Sequence, residues 1–241
     1  MSQVAPLVFI TGASSGIGLA LAARHAAAGW RLALVARRTA PIEAWAARQG
    51  LAPERWRAYA ADVQDVDSIV AAGQRCLAEL GLPDRVIANA GISVGMDTAV
   101  REDLEVMRET LATNNLGLAA TFHPFVGPMQ QARRGTLVGV ASVAAIRGLP
   151  GHGAYCASKA GVVAYCESLR GECRPFGVRV VTLVPGYIAT PLTAGNTYPM
   201  PFLMSPEAFA DRAFQAMDRG DSYRVIPWQM GVVAKIGRAH V

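Results

Sequence analysis

The stretch LVFITGASSGIGLALAA, from Leu7 to Ala23, decides the fold. A short apolar strand runs directly into closely spaced glycines, and an apolar helical pattern follows them at once. In such a strand–turn–helix unit, Gly12 permits a tight turn, Gly16 lets the backbone approach a pyrophosphate, and Gly18 lets helix and strand pack closely. The free N–H groups and the dipole of the helix favour a bound anion. The predicted phosphate cradle is completed by Ser14, Ser15 and Ile17.

Short apolar runs alternate with longer helical patterns along the rest of the chain. Several runs are continuously apolar, as expected when helices cover both faces of a sheet. This rhythm predicts one α/β domain with a doubly wound parallel sheet of about seven strands flanked by helices. The predicted strands are Leu7–Thr11, Arg31–Ala36, Trp56–Ala60, Arg85–Ala88, Thr136–Ala141, Val178–Val184 and Tyr223–Ile226, and the predicted helices span 16–28, 41–49, 65–80, 101–131, 153–174 and 205–219.

The composition excludes several classes of protein. The chain has 241 residues, of which 52% are hydrophobic and 17% charged, with a formal charge of +5. It is too apolar for a disordered chain, yet no apolar window reaches the ~18 residues of a membrane span. Lys and Arg are scattered, which argues against a nucleic-acid partner, and the four cysteines and four histidines show no metal-ligand spacing. Reduced cysteines and the lack of a signal-peptide pattern predict a cytoplasmic protein that needs no metal.

The last residues, Ile236–Val241, resemble the translation of a common sequencing adaptor. On that interpretation the natural chain is truncated near Lys235, and the domain spans residues 1–235. An ordinary basic tail is the alternative. On the first interpretation these residues have no part in the function of the protein.

The end of the second predicted strand bears on the choice of cofactor. An NAD site normally has an Asp or Glu there, which binds the ribose 2′-hydroxyl and would repel a 2′-phosphate. This chain has Ala36 followed by Arg37 and Arg38. A guanidinium holds a 2′-phosphate with two parallel charge-assisted hydrogen bonds. The arginines therefore favour NADP(H) over NAD(H), with NAD(H), or a merely solvated charged turn, as the alternative.

Tyr155 and Lys159 stand four residues apart at the start of a long helical pattern. This spacing puts both side chains on one helix face, one turn apart. A tyrosine with its usual pKa of about 10 is a poor acid–base group, but a neighbouring ammonium favours the phenolate. Ser142 ends the preceding strand, at the carboxyl edge of the sheet where ligands bind. Although such Tyr–Lys pairs are common on surfaces, this setting predicts a proton-transfer site.

The order of glycine-rich turn, serine and Tyr-x-x-x-Lys resembles that of the short-chain dehydrogenase/reductase family. The resemblance covers the chain from Leu7 to about Pro227. It implies a Rossmann fold and hydride transfer between C4 of a nicotinamide and a carbonyl carbon or secondary alcohol. Two departures leave the subfamily open: Ala145 stands where many members have Gly, and the last strand lacks the usual glycines.

The resemblance also implies a role for each member of a catalytic tetrad. Tyr155 passes a proton to or from the substrate oxygen. Lys159 lowers the pKa of Tyr155 and hydrogen-bonds the nicotinamide ribose. Ser142 holds the substrate oxygen, and Asn114 supports the proton relay.

The asparagine of the tetrad has a competing assignment in Asn115. Asn114 is preferred because Gly117 falls three positions after it. Further matches imply cofactor contacts at the ends of the predicted strands, in addition to those of Tyr155 and Lys159. They are Asp62 and Val63 for the adenine, Asn89, Ala90 and Gly91 after the fourth strand, Pro185, Gly186 and Ile188 after the sixth, and Thr190 for the nicotinamide carboxamide.

The irregular segment 191–206 is expected to cover the substrate site. It carries no basic residue and is rich in apolar side chains: Tyr198, Met200, Phe202, Leu203 and Met204. This predicts an apolar small-molecule ketone or secondary alcohol as substrate, unless these side chains only pack the loop onto the body. The resemblance further implies a homodimer or homotetramer built from the helices at 101–131 and 153–174.

Two other function classes stay open. A catalytically silent NADP(H)-binding sensor or scaffold needs no proton donor, so the set of Ser142, Tyr155 and Lys159 argues against it. An epimerase or dehydratase of the family's extended relatives carries a larger C-terminal domain than this chain holds. Turnover of a carbonyl panel, or permanently bound NAD, would separate the three classes.

Overall fold

The computed structural model describes residues 4–238, with side chains up to Ile236. Seven parallel strands form one sheet in the order β3-β2-β1-β4-β5-β6-β7. The predicted Rossmann-type α/β fold with its doubly wound parallel sheet is confirmed. The strands are β1 Leu7–Thr11, β2 Arg31–Ala36, β3 Trp56–Ala60, β4 Arg85–Ala88, β5 Thr136–Val140, β6 Arg179–Pro185 and β7 Tyr223–Ile226.

Helices cover both faces of this sheet. Their bounds are α1 Gly16–Ala27, α2 Ala40–Arg48, α3 Val66–Leu80, α4 Asp103–Leu111, α5 Gly117–Ala132, α6 Gly153–Cys173, α7 Pro206–Arg219 and α8 Trp228–Arg238. One core lies between the sheet and α3, α5 and α6, and a second lies between the opposite face and α1, α2 and α7. The two cores explain why β1 is apolar at successive positions, since every one of its residues is buried.

The predicted helix over 101–131 is interrupted in the structure. A π turn, Ala112–Leu116, joins α4 to α5. A π turn inserts an extra residue into the helical path and so redirects the side chains it carries, which is why such turns recur at functional sites. Sequence analysis also missed α8, because two glycines weaken its helical pattern.

The strand order reverses between β1 and β4. In open α/β sheets, the connections from two such strands lead to opposite faces and leave a crevice at their carboxyl ends, where ligands bind. The glycine-rich turn follows β1 directly, and Asn89-Ala90-Gly91 follows β4 directly. The fold therefore brings these two predicted segments to the same edge.

No helix within residues 4–238 is both long and apolar enough to cross a bilayer. The same residues contain no group of three or more His, Cys, Asp or Glu side chains arranged to hold a metal ion. All four cysteines are free and buried.

Candidate active site

A cleft of about 500 Å³ opens at the carboxyl edge of the sheet. Its walls come from the ends of the central strands and from the segments that follow them. Most of the predicted site residues line it: Gly12, Ser14, Ser15, Gly16, Ile17, Arg37, Asp62, Val63, Asn89, Ala90, Gly91, Ser142, Tyr155, Lys159, Pro185, Gly186, Ile188 and Thr190. The fold thus brings together residues that are up to about 180 positions apart in the sequence.

Three predicted site residues do not line the cleft. Gly18 lies beneath the glycine-rich turn, where a Cβ would overlap the carbonyl oxygen of Gly12. Arg38 is exposed outside the cleft. Asn114 is buried beside Gly91, where a Cβ on the glycine would come within 3.1 Å of the Asn114 Oδ1. Gly18 and Asn114 therefore shape the walls rather than form the inner surface.

The glycine-rich turn has the conformation its sequence predicts. Gly12 and Gly16 have φ values of 66° and 53°, in the left-handed region that favours glycine. A Cβ on Gly16 would approach Thr190 to 3.2 Å, so the turn lies against the segment that follows β6. Gly16 and Ile17 begin α1 and line the cleft, which directs the helix N-terminus toward any bound anion.

Thr11 is a structural member of the site that sequence analysis missed. Its buried Oγ1 accepts hydrogen bonds from the main-chain N–H groups of Asn89 at 3.1 Å and Ala90 at 3.2 Å. The Asn89 Nδ2 in return donates to the main-chain oxygens of Thr11 at 3.0 Å and Gly12 at 3.3 Å. These bonds lock the end of β4 onto the glycine-rich turn. A threonine directly before the glycines was the one available sequence signal.

Ser142 and Tyr155 both line the cleft, Ser142 from the segment that follows β5 and Tyr155 from α6. The Ser142 Oγ accepts a hydrogen bond from the N–H of Ala144 at 3.2 Å, which leaves its single O–H as a donor for the Tyr155 oxygen or for a ligand oxygen. Tyr155 lies in the first turn of α6. Burial raises the pKa of the Tyr155 phenol, and hydrogen bonding by Ser142 opposes that rise.

Lys159 follows Tyr155 by one turn of α6 and is 5% exposed. Its Nζ donates to the main-chain oxygen of Val140 at 2.9 Å and lies 5.8 Å from the centroid of the Tyr155 ring. Burial lowers the pKa of Lys159 to about 8, because the charged ammonium loses its hydration. Hydrogen bonding by Ser142 opposes the rise in the pKa of Tyr155, and the lowering of that pKa by Lys159 stays a prediction.

Asn114 joins three segments from its place in the π turn. Its Oδ1 accepts from the N–H of Ile92 at 2.9 Å, and its Nδ2 donates to the main-chain oxygen of Ile92 at 3.0 Å and to Ser158 Oγ at 2.8 Å. Ser158 Oγ then donates to the main-chain oxygen of Tyr155 at 2.8 Å. The asparagine side chain is thereby fixed to the helix that carries the tyrosine.

The two candidate asparagines have different surroundings. A Cβ on Gly91 would lie 3.1 Å from the Asn114 Oδ1 and 3.3 Å from the Lys159 Nζ, so both groups flank the same glycine. The Asn115 Nδ2 donates to the main-chain oxygen of Ser158 at 2.9 Å and would contact a Cβ on Gly161. Asn114 therefore lies near the lysine, whereas Asn115 packs along α6.

The arginines that follow β2 are both exposed, and Arg37 lines the cleft. Within residues 4–236, neither Arg37 nor Arg38 belongs to an ion pair. Asp62 lines the same end of the cleft, and its Oδ1 accepts from the N–H of Gln64 at 3.0 Å. A guanidinium without a protein carboxylate as partner is available for an anionic ligand.

Comparison with known proteins agrees with this geometry. Residues 6–199 match the model of a family described as short chain dehydrogenase. The chain belongs to the short-chain dehydrogenase family. An uncharacterized oxidoreductase of Myxococcus xanthus (strain DK1622) is 38% identical over 229 residues, which cover 95% of this chain and 90% of that protein. This short-chain dehydrogenase is accordingly an oxidoreductase of the class that acts on alcohol and carbonyl groups.

Two further relatives of this short-chain dehydrogenase carry more specific names. D-threitol dehydrogenase of Mycolicibacterium smegmatis is 37% identical over 186 residues, covering 77% of this chain and 71% of that protein. The solved structure of a short-chain dehydrogenase from Sphingobium yanoikuyae in complex with NADPH is 26% identical, with a TM-score of 0.82 and coverage of 98% of this chain and 95% of that chain. The shared fold therefore extends over almost the whole length of a protein that holds NADPH.

The cleft of this short-chain dehydrogenase fits a dinucleotide. Its volume lies within the range of roughly 300–1,000 Å³ that is typical of ligand pockets. The absence of a side chain at Gly12 lets the glycine-rich turn pack on the end of β4, since a Cβ on Gly12 would come within 2.9 Å of the Ala90 Cα. Lys159 and Arg37 supply positive charge at separate places along the cleft.

The segment 191–206 forms a loop that returns to the body at Met204. Met204 accepts from the N–H of Ala189 at 2.9 Å and donates to the oxygen of Tyr187 at 3.0 Å, and its side chain packs on a core. Pro191, Leu192 and Thr193 line the cleft. Tyr198 is 64% exposed, and the side chains of Phe202 and Leu203 are exposed as well. Only the start of the predicted apolar lid therefore contributes to the cleft wall.

Several other residues of the cleft wall were missed by sequence analysis. They are Val35, Ala36, Ala61, Gln64, Ile92, Thr113, Val140 and Ala141. All lie within a few positions of residues that were predicted, which was the one available signal. Their places depend on contacts between segments that are distant in the chain.

Proposed function

We propose that this short-chain dehydrogenase catalyses the NADP(H)-dependent interconversion of a carbonyl compound and a secondary alcohol, with Tyr155 as general acid and base. The observation that carries the proposal is one stretch of cleft wall formed by Ser142, Tyr155 and Lys159. A hydroxyl donor, a phenol and an ammonium around one ligand oxygen can hold that oxygen and exchange a proton with it.

The proposed cofactor would lie along the cleft from Arg37 to Thr190. The glycine-rich turn would hold the pyrophosphate, Asp62 and Val63 would contact the adenine, and Gly186, Ile188 and Thr190 would border the nicotinamide. When bound, NADP(H) supplies or accepts the hydride that changes the oxidation state of the substrate carbon. The protein supplies orientation and proton transfer around that carbon.

Proton transfer would start from a protonated Tyr155, because burial raises the pKa of its phenol. During reduction Tyr155 donates this proton to the alkoxide that develops on the substrate. Oxidation is the reverse and starts from the Tyr155 phenolate, which accepts the proton of the substrate alcohol. Ser142 would orient the substrate oxygen through its O–H. Lys159 has three N–H donors and uses one on Val140, so the others can bond a ribose hydroxyl and stabilise the phenolate.

The preference for NADP(H) is supported by the exposed guanidinium of Arg37 at the cleft. A 2′-phosphate there would form charge-assisted hydrogen bonds. The residues at the end of β2, Ala36 to Arg38, include no carboxylate that would repel it. NAD(H) lacks this phosphate and would gain no such bonds.

The substrate is proposed to be an apolar ketone or secondary alcohol. Support comes from Leu192, at the start of the segment 191–206, whose apolar side chain lines the cleft. The name of the D-threitol dehydrogenase relative points instead to a polyol. Both classes therefore belong in the same substrate panel.

A homodimer or homotetramer through α4, α5 and α6 is also proposed. Large apolar side chains are exposed on these helices and on the π turn that joins α4 to α5, at Leu111, Leu116 and Tyr165. Burial of such a patch is the usual driving force for subunit association. Light scattering coupled to size-exclusion chromatography would report the mass, and a monomer would contradict the proposal.

The decisive experiment follows NADPH absorbance with a panel of apolar ketones, aldehydes and ketoses, and the reverse reaction with the matching alcohols. Wild-type protein is expected to turn over at least one class. Tyr155→Phe, which loses only the phenolic oxygen, is expected to bind NADPH normally and to lose turnover by two orders of magnitude or more, as is common for a general acid. NADPH binding without turnover of any compound would favour a silent cofactor sensor instead.

A further inference from the structure

We infer that Gln64 and Thr113 are positioning residues, which hold the π turn carrying Asn114 in register with the adenine end of the cleft. The inference rests on the proposed function, since it concerns the asparagine of the proposed proton relay. Neither residue is placed at the reacting atoms. Both act through the segment Ala112–Leu116.

The first contact is a hydrogen bond between two residues of the cleft wall. The Gln64 Nε2 donates to the Thr113 Oγ1 at 2.7 Å. The Thr113 Oγ1 donates in turn to the main-chain oxygen of Glu109 at 2.9 Å, in the last turn of α4. Thr113 is buried, so its hydroxyl has few other partners, and one side chain thus links the turn after β3 with the entry to the π turn.

The second contact lies at the other end of the same π turn. Gly117 begins α5 and packs on the main chain of Val63, where a Cβ on the glycine would come within 2.7 Å of the Val63 oxygen. Val63 and Gln64 are neighbours in the turn that follows β3. That turn therefore contacts the π turn on both sides of Asn114, through a hydrogen bond at Thr113 and through close packing at Gly117.

External contacts matter here because a π turn is less favourable than a regular α-helical turn. The π turn must keep its position relative to α6 and Ile92, because the Asn114 side chain has to reach both Ile92 and Ser158 to make its hydrogen bonds. Without the bond from Gln64, the turn after β3 would hold the π turn through the packing of Gly117 on Val63. The Asn114 amide would then sample positions in which those bonds are lengthened, as happens when the support of a site is left loose.

The test compares variants that differ by one hydrogen-bonding group. Thr113→Val removes the hydroxyl and keeps the shape, whereas Thr113→Ser keeps the hydroxyl. Gln64→Leu removes the donor at an exposed position, and Gln74→Leu makes the same change on the outer surface of α3, away from the cleft. Each variant is measured by amide hydrogen exchange across residues 112–116 without cofactor, by thermal unfolding, and by kcat and KM for NADPH.

We expect Thr113→Val and Gln64→Leu to speed exchange in the π turn and to lower kcat, each by roughly fivefold, the effect of one net hydrogen bond. KM for NADPH should stay unchanged, and Thr113→Ser and Gln74→Leu should match the wild type. If Thr113→Val does not fold, Gln64→Leu decides the question.

Two results would overturn the inference. One is that Thr113→Val and Gln64→Leu both show the same hydrogen exchange in the π turn and the same kcat as the wild type. The other is a raised KM for NADPH with unchanged kcat, which would make the pair a simple cofactor contact. If the wild-type protein shows no turnover, only the proposed function is overturned. Amide hydrogen exchange in the π turn still tests whether Gln64 and Thr113 hold it in place.

Discussion

Lys159 donates a hydrogen bond from its Nζ to the main-chain oxygen of Val140 at 2.9 Å. Val140 ends β5 and stands two residues before Ser142. The bond therefore ties the lysine of α6 to the strand end that carries the serine. Because the amine is buried there, its pKa falls to about 8, and a modest rise in pH removes its charge.

This relationship predicts a pH-dependent affinity for NADPH. Below about pH 8 the Lys159 ammonium is present as a charged donor, and above that pH it is lost. A hydrogen bond to a charged group contributes about 1.5 kcal/mol or more, so affinity should fall by roughly tenfold as the pH rises well above 8. Fluorescence titration with NADPH measures it. Lys159→Met should bind more weakly at neutral pH and show no such fall, and parallel profiles for the two proteins would refute the role.

Gly18→Ala tests the close contact beneath the glycine-rich turn. The added Cβ would overlap the carbonyl oxygen of Gly12, which belongs to the main chain and moves only if the turn opens. Overpacking of this kind costs about 1–3 kcal/mol, and an opened turn would also lose its fit to a pyrophosphate. We expect a lower Tm and little NADPH binding.

The matched control for this substitution is Gly171→Ala. Gly171 lies within α6, and a Cβ there meets nothing within 4 Å. Alanine is the better helix former by about 0.5–1 kcal/mol, so this variant should be as stable as the wild type or slightly more so. Equal behaviour of the two variants would remove the argument from close packing.

The sheet could be predicted closely because its signals are local. The residues Leu32–Ala36 are apolar at every position and lie between Arg31 and Arg37, and the strand predicted at Arg31–Ala36 has these same ends in the structure. Site residues such as Ser142 and Asn89 could be predicted for a related reason. They follow strands directly, and parallel strands all end at one edge of the sheet.

The π turn could not be predicted, because Ala112–Leu116 contains no glycine or proline to mark a break in the helical pattern. Local sequence does not distinguish a π turn from an α-helical one when the difference depends on partners elsewhere in the chain. Thr11 and Thr113 were missed for the same reason, since their partners are 78 and 49 positions away. The exposure of Tyr198 depends likewise on how the loop folds back, which apolar composition does not reveal.

Arg37→Ala tests the preference for a 2′-phosphate. Hydrogen bonds between charged groups contribute about 1.5–3 kcal/mol, so the variant should bind NADPH roughly tenfold to a hundredfold more weakly. Affinity for NADH should stay unchanged, because that cofactor has no phosphate at this position. Arg38→Ala is the control, since Arg38 lies outside the cleft and should matter less. Equal wild-type affinities for NADH and NADPH, unaffected by Arg37→Ala, would exclude the preference.

Far from the cleft, a buried histidine predicts sensitivity to acid. The His25 side chain is fully buried, its Nδ1 donates to the main-chain oxygen of Leu21 at 2.7 Å, and its Nε2 accepts from Arg85 at 2.8 Å. Arg85 is itself buried and pairs with the half-exposed Asp218 at 2.8 Å. The imidazole is therefore held neutral. Burial, and secondarily the charge of Arg85, lower the pKa of His25 to about 3.

Between pH 6.5 and about 3, the unfolded chain protonates His25 while the folded chain does not. The unfolded state thus binds more protons in this window. As the pH is lowered through it, this group decreases the free energy of unfolding by about 1.4 kcal/mol per pH unit. Urea unfolding at neutral pH and at pH 5 measures the slope. His25→Gln should be less stable at neutral pH but should lose less on acidification, whereas His123→Gln, at an exposed position, should keep the wild-type slope. The same acid slope in wild type and His25→Gln would show that other groups cause the loss.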